Sequence, residues 1–157
     1  PLLLSGIESA NIRQKQLFGK RLLESVKGIP NACIAIWGLA FKSDTDDMRE
    51  APAVEIIRTL LGAGITIKAF DPQAMKEAAH LLPKVKLCKD SYEVARGADC
   101  LASLTEWNEF KELDFKRIKK LLRQPLIVDG RNLYDPEAMR KLGFRYVGIG
   151  RGRHEAH

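Results

Sequence analysis

The stretch Ala32-Cys-Ile-Ala-Ile-Trp37, with the polar segment from Gly38 to Ala51 behind it, decides the fold. An almost unbroken apolar run of this length is typical of a strand buried on both faces, as the strands of parallel sheets are. Pro52 fits the first turn of a helix, where its missing N–H costs nothing, and apolar residues recur at helical spacing after it. The stretch therefore predicts a strand, a long loop and a helix, the first unit of a parallel α/β sheet.

The same alternation extends in both directions along the chain. A helix is predicted upstream at 5–27. Further strands are predicted at 65–70, 85–87, 100–104, 126–128 and 145–149, and helices at 75–82, 91–96, 115–122 and 136–142. Alternating strands and helices predict an α/β domain of three layers, with a mainly parallel sheet of five or six strands, preceded by a helix. We expect the boundaries to be 1–30 for the end of a helical region, 31–151 for the α/β domain and 152–157 for a tail.

Composition and charge exclude several classes of protein. The 157 residues are 45% hydrophobic and 29% charged, as in an ordinary single globular domain. No apolar run approaches the ~20 residues that cross a bilayer, so we expect a cytoplasmic protein with no membrane partner. Residues 111–157 carry 12 basic and 6 acidic groups, which suits a phosphorylated small molecule or a solvated basic face. No nucleic-acid-binding motif accompanies this charge, so no nucleic-acid partner is expected.

The cysteines and histidines predict neither a disulfide framework nor a metal site. Cys33, Cys88 and Cys100 are odd in number and widely spaced, and no CxxC pair occurs. The first and last of them lie in apolar strand-like runs and are interpreted as small buried hydrophobes. The three histidines show no metal-like or triad arrangement and are interpreted as solvated.

Ligands of open parallel sheets bind outside the carboxyl ends of the strands, and the loop after the first strand lies there. It carries Lys42 and Arg49 just before a helix, a combination that suits a phosphate. Only Gly38 is present where a dinucleotide fingerprint needs three glycines. In the alternative interpretation, the acidic residues of this loop cap the helix and pair with the two cations.

Two further segments follow predicted strands at the same edge. In 105–107, a tryptophan either stacks on a base or fills the core. In 129–132, Arg131 either grips a phosphate with both arms of its guanidinium or pairs with Asp129 in a turn. Asp71 also ends a strand, where nucleotide-binding folds often place a ribose-binding acid. Because no glycine-rich turn precedes it, helix capping is the better interpretation of Asp71.

Three motifs in this order resemble those of a known family: GLAFKSDTDDMREAP at 38–52, TEW at 105–107 and DGRN at 129–132. They are similar to the C-terminal domain of the UDP-glucose and GDP-mannose dehydrogenase family, and the likeness extends over nearly the whole chain. The resemblance implies a Rossmann-like domain that binds a nucleotide sugar. By overall similarity it favours UDP-glucose, in an oxidoreductase that uses NAD as its cofactor.

The resemblance also implies roles for individual residues. The residues expected to contact the substrate are Phe41, Lys42, Asp44, Thr45, Asp46, Asp47 and Arg131. Arg49 is expected to reach toward NAD at a domain interface. None of the three cysteines lies in a context that matches the family's catalytic motif, so no catalytic residue is expected in this chain. The chain alone is therefore expected to be inactive.

The resemblance further implies that the chain is a piece of a larger enzyme, since the family's N-terminal NAD-binding domain has no counterpart here. The full-length protein is expected to be a homodimer joined through its central helix, and a piece with only the end of that helix is compatible with a monomer. The alternative is a free-standing module that binds nucleotide sugars or regulates without catalysis. A domain that has lost ligand binding is disfavoured because Lys42 and Arg131 are both present.

Overall fold

The structure, a computed structural model, describes residues 2–148, with side chains from residue 13 onward, so the predicted tail at 152–157 lies outside it. The helices are α1 (Leu2–Ser25), α2 (Pro52–Gly62), α3 (Met75–Leu81), α4 (Ser91–Ala95), α5 (Phe115–Leu121) and α6 (Pro136–Lys141). The strands are β1 (Cys33–Trp37), β2 (Thr66–Phe70), β3 (Lys86–Leu87), β4 (Cys100–Ser103), β5 (Leu126–Asp129) and β6 (Arg145–Gly148).

All six strands form one sheet in the order β3-β2-β1-β4-β5-β6, and every neighbouring pair is parallel. This confirms the predicted α/β class and the upper of the two expected strand numbers. The order changes direction between β1 and β4, where Trp37 lies level with Ser103. A crevice opens outside the carboxyl ends of the strands at such a point, and ligands of this fold class bind there.

Two apolar cores cover the two faces of the sheet. α1, α2 and α3 pack on one face, and α4, α5 and α6 pack on the other. Phe18, Leu22 and Val26, from α1 and the turn after it, are buried in the first core, so this helix covers part of the sheet. β1 and β4 are buried along their whole length, which is the physical reason for their unbroken apolar sequences.

The three thiols are free and buried, as expected for Cys33 and Cys100 from their strand-like surroundings. Burial raises the pKa of Cys100 to about 12, so this thiol stays protonated and unreactive at neutral pH. Within the described part of the chain, no helix is both long enough and apolar enough to cross a membrane. Sequence periodicity missed one element, a 3₁₀ helix at Asn108–Lys111, because four residues are too few to show a repeat.

Candidate functional site

The loop after β1, residues 38–51 and hereafter the β1 loop, holds every predicted site residue except Arg131. The loop closes on itself: the Phe41 N–H donates a hydrogen bond to the Asp47 carbonyl at 2.7 Å. The Thr45 hydroxyl accepts the Asp47 N–H at 3.1 Å, and Asp44 adopts a φ of 62°, a conformation that aspartate tolerates better than most residues. Thr45 and Asp47 therefore shape the loop besides lying in the predicted site.

Arg49 forms an ion pair inside the same loop. Its Nε and Nη2 atoms donate to the two carboxylate oxygens of Asp47 at 3.1 and 3.2 Å, and these hydrogen bonds hold the pKa of Asp47 below its ordinary value. The Arg49 side chain is 90% exposed. The predicted pairing of an acidic residue with Arg49 is thus confirmed. The prediction that acidic residues of the loop cap α2 is wrong. The N-cap residue is Ala51, and no side-chain hydrogen bond caps the helix.

Phe41 and Lys42 are an exposed aromatic ring and an exposed cation at neighbouring positions of the β1 loop. Phe41 is 49% exposed, and Leu17 is the one other large apolar side chain exposed to this degree in the described chain. Lys42 is exposed and has no hydrogen bond or ion pair with any residue that the structure describes. An exposed ring beside an unpaired cation suits a ligand that carries both an apolar surface and negative charge.

Asp71, which follows β2, anchors the start of the β1 loop. Its side chain is fully buried, and Oδ2 accepts the N–H groups of Leu39 and Ala40 at 2.8 and 3.0 Å. Oδ1 accepts the N–H groups of Gln73 and Ala74 at 2.9 and 2.8 Å, which fixes the turn into α3. Both oxygens are occupied by the protein itself, so this carboxylate has a structural role rather than a ribose-binding one.

The segment after β4 supports the β1 loop from its other side. The Thr105 hydroxyl donates to the Ala40 carbonyl at 2.8 Å, and Trp107 Nε1 donates to Asp71 Oδ2 at 3.2 Å. Thr105 and Trp107 are 1% and 6% exposed, so the tryptophan fills the core and is not free to stack on a base. Gly38 has a φ of +95° and lies so close that a Cβ there would be 2.5 Å from the Thr105 Cβ. Contact between the loops thus requires glycine at position 38.

Asp129, the last residue of β5, plays a similar part on the far side of the crevice. It is fully buried, and its carboxylate accepts four hydrogen bonds. Their donors are the hydroxyls of Ser103 and Tyr146 and the backbone N–H groups of Arg131 and Tyr134. The loop after β5 is therefore fixed to the end of β4 and to β6.

The Arg131 guanidinium does not pair with Asp129. Its Nη2 atom lies 3.2 Å from a carboxylate oxygen of Glu106, and the two side chains are 39% and 48% exposed. An ion pair as exposed as this contributes at most about 1 kcal/mol, so an anionic ligand can displace or share it. The structure brings the β1 loop and Arg131 to one edge of the sheet. Since β4 alone separates β1 from β5, the two strand ends lie roughly 10 Å apart.

A large groove shares Thr45, Asp46, Asp47 and Arg49 with the predicted site. Its volume is about 1160 Å³, and it runs between the β1 loop, α2 and α3 without touching Lys42 or Arg131. Of the cations that line the groove, Lys15 pairs with Glu55 and Arg49 pairs with Asp47, and Arg58 is exposed. We place the candidate site at the strand ends rather than in this groove, because ligands of open parallel sheets bind outside the carboxyl ends of the strands. No group of three or more metal-ligating side chains occurs among the residues described.

Glu109, near this edge of the sheet, is expected to make the stability of the fold depend on pH. Partial desolvation of this exposed side chain, with a smaller contribution from the Asp71 carboxylate, raises the pKa of Glu109 above its ordinary value of 4.5. When an acid has a raised pKa in the folded state, its ionisation is less favourable there than in the unfolded chain. The free energy of unfolding of the protein therefore falls as the pH rises through that pKa. Glu109→Gln should therefore stabilise the chain at about pH 7, by only roughly 0.3 kcal/mol since solvent screens the charge. Urea unfolding at about pH 7 and about pH 3.5 checks this, and an equal gain at both would contradict it.

Sequence reasoning missed Thr105 and Trp107 as supports of the β1 loop, and Asp71 as its anchor. Their hydrogen bonds join residues that are 31 to 65 positions apart in the sequence, so no local pattern reveals them. An aspartate at the end of a strand was the one local signal, and it applies to Asp71 and Asp129 alike.

Comparison with known proteins shows the family of this chain. The UDP binding domain of the UDP-glucose/GDP-mannose dehydrogenase family matches residues 35–136. The UDP-glucose 6-dehydrogenase of Pseudomonas aeruginosa is 44% identical over 96% of this chain and 35% of its own length. That of Rhizobium meliloti is 41% identical over 91% of this chain and 33% of its own length.

Among solved structures, a UDP-glucose dehydrogenase from Pyrobaculum islandicum superposes with a TM-score of 0.77 and 27% identity, covering 92% of this chain and 31% of that one. The chain thus spans about a third of the length of these proteins. The match to the family covers the sheet from β1 to the start of α6, including the β1 loop, Thr105 to Trp107 and Arg131. The chain therefore belongs to the UDP-glucose/GDP-mannose dehydrogenase family, as its UDP-binding domain.

Proposed function

We propose that the carboxyl edge of the sheet binds the uridine diphosphate part of UDP-glucose, and that the chain does so within an NAD-dependent UDP-glucose 6-dehydrogenase. The observation that carries this proposal is the pair of cations on either side of the crevice. Lys42 is exposed and unpaired within the described chain, and Arg131 is held only by an exposed carboxylate. A diphosphate is an anion that both can reach, and the names of the relatives support UDP-glucose as its source.

The two cations have complementary roles in this proposal. The Lys42 ammonium supplies a compact point charge, whereas the Arg131 guanidinium supplies a planar fork that suits two phosphate oxygens. Phe41 offers its exposed ring to the ligand. The neighbouring residues of the β1 loop also face the ligand in this proposal: Asp44, Thr45, Asp46 and Asp47. The chain's contribution is then to position the substrate and neutralise the diphosphate charge.

NAD fits this chain at one contact rather than at a full site. In dinucleotide-binding loops the N–H groups after the first strand face the pyrophosphate. Here the corresponding N–H groups of Leu39 and Ala40 face the buried Asp71 carboxylate. Arg49 is highly exposed and in our proposal extends toward NAD from the β1 loop. When bound, NAD accepts the hydride that is removed from the sugar, and no residue of this chain is assigned a catalytic role.

Calorimetric titration of the chain with UDP, UDP-glucose, GDP and NAD tests the proposal. We expect UDP and UDP-glucose to bind, and GDP and NAD to bind at least tenfold more weakly or not at all. Equal binding of UDP and GDP would contradict the proposed base. Absence of binding by both UDP and UDP-glucose would contradict the proposal that this domain forms the diphosphate site by itself.

Substitution of the two cations should weaken binding without unfolding the chain. We expect Lys42→Ala and Arg131→Ala each to cost ~1–3 kcal/mol of UDP binding, about 5- to 150-fold in Kd, the range for losing a charge-assisted hydrogen bond. The matched control is Lys84→Ala, because Lys84 is exposed in the turn before β3, at the amino edge of the sheet. Unchanged affinity in both site variants, measured by the same titration, would rule out this placement of the diphosphate.

A further inference from the structure

We propose that Thr105 and Trp107 are positioning residues of the UDP site, which hold the β1 loop in the shape that presents Lys42 to the diphosphate. The inference rests on the proposed function, since it assigns a role in that site. It goes beyond it, since neither side chain is free to touch a ligand: both are at least nine-tenths buried and both donate their polar hydrogen to protein.

Thr105 acts on the β1 loop directly. Its hydroxyl donates to the carbonyl of Ala40, two residues before Lys42, at 2.8 Å. The same residue packs against Gly38, whose backbone conformation starts the loop. A buried carbonyl that loses its donor is left unsatisfied, and the backbone around it then moves to find another partner. The direction in which Lys42 leaves the loop therefore depends on this hydroxyl.

Trp107 acts on the loop through Asp71. The Asp71 oxygen that accepts the indole N–H also accepts the N–H groups of Leu39 and Ala40. The indole thus holds in place the carboxylate that anchors the loop. Ala40 is fixed at both its polar backbone atoms, by Thr105 at the carbonyl and by Asp71 at the N–H.

Glu106, between these two residues, contacts Arg131 at 3.2 Å. One three-residue segment at the end of β4 therefore contacts both cation-bearing loops, and it lies between them because β4 lies between β1 and β5. A diphosphate that binds both cations requires a set spacing between the loops. A misplacement of about 1 Å is enough to lose much of such an interaction.

The test compares conservative variants with a structural control. Thr105→Val keeps the branched shape against Gly38 and removes the hydroxyl, whereas Thr105→Ser restores the hydroxyl. Trp107→Phe removes the indole N–H. The control is Asp99→Asn, because Asp99 is also buried and accepts hydrogen bonds from the Cys33 N–H and from Arg123, but lies just before β4 at the opposite edge.

Two readouts are needed for each variant: the Kd for UDP, well below the unfolding temperature, and hydrogen exchange at the Leu39 and Ala40 amides. We expect Thr105→Val and Trp107→Phe to raise Kd about tenfold and to speed exchange at these amides. Thr105→Ser should stay within about twofold of the parent in both readouts. Asp99→Asn should lower Tm while Kd stays within about twofold.

The outcomes separate this proposal from the proposed function. If Lys42→Ala weakens UDP binding but Thr105→Val and Trp107→Phe do not, the positioning role is overturned and the proposed function stands. An Asp99→Asn variant that loses affinity as strongly as Thr105→Val would also overturn it, since general destabilisation would then explain the effect. If the parent chain does not bind UDP at all, the proposed function fails first.

Discussion

Asp71→Ala should lower the free energy of unfolding by on the order of 4 kcal/mol, because several buried donors lose their acceptor at once. The carboxylate accepts five hydrogen bonds, and it is completely buried. Each unsatisfied buried donor costs about 1–3 kcal/mol, and relaxation of the β1 loop toward water recovers part of the total. The loss is measured by urea unfolding, with the slope checked for a change in two-state behaviour.

Asp90→Ala is the matched control for that substitution. Asp90 also accepts two backbone N–H groups, those of Tyr92 and Glu93, at the start of α4, but it is only partly buried. Loss of such a cap costs about 1 kcal/mol. If Asp71→Ala were no more destabilising than Asp90→Ala, the central place of Asp71 beneath the site would be wrong.

Gly38→Ala should be strongly destabilising, with an expected loss of about 3–5 kcal/mol. The added Cβ would lie 2.5 Å from the Thr105 Cβ and 2.6 Å from the Thr105 nitrogen, so backbone must shift. The φ of +95° adds the strain of a left-handed conformation. We also expect weaker UDP binding, since the displaced loop carries Lys42.

Gly64→Ala separates the two causes. Gly64 has a similar φ of +84°, but nothing lies within 4 Å of the place its Cβ would take. This variant should lose only the conformational part, about 1 kcal/mol. Equal losses in the Gly38 and Gly64 variants, measured by urea unfolding, would show that the close approach of Thr105 to β1 is not real.

The sequence was enough to predict the fold, because strand burial leaves a local signature. The run from Ala32 to Trp37 is apolar at every position, as is typical of a central parallel strand. Pro52 is the first residue of α2, as its sequence position predicted. The strand order was not predicted. It depends on which helices cover which face, and a single sequence contains no direct record of that.

The site was predictable to the level of its loops but not of its contacts. Lys42 and Arg131 stand out in sequence as cations in the loops that follow predicted strands, and the rule for open sheets places these loops at one edge. The partners did not follow from sequence: Arg131 meets Glu106 rather than Asp129. A hydrogen bond between residues as far apart as Ala40 and Thr105 has no local pattern.

The buried Asp71 distinguishes this domain from a dinucleotide-binding domain of the same strand order. The N–H groups that begin the β1 loop hold an internal carboxylate in place of a ligand phosphate. Phe41 and Lys42, which follow Ala40 in the loop, are exposed, and our proposal assigns them to the ligand. In our proposal this domain therefore binds its ligand through side chains at the place where dinucleotide-binding domains bind through backbone N–H groups.

The placement of UDP at the carboxyl edge is tested most directly by backbone amide NMR of the chain during titration with UDP. We expect the perturbed amides to cluster in two segments, 38–49 and 129–132, and those of the turn before β3 at the amino edge to stay unchanged. Perturbation confined to α2 and α3, along the large groove, would contradict the account, because neither Lys42 nor Arg131 lines that surface.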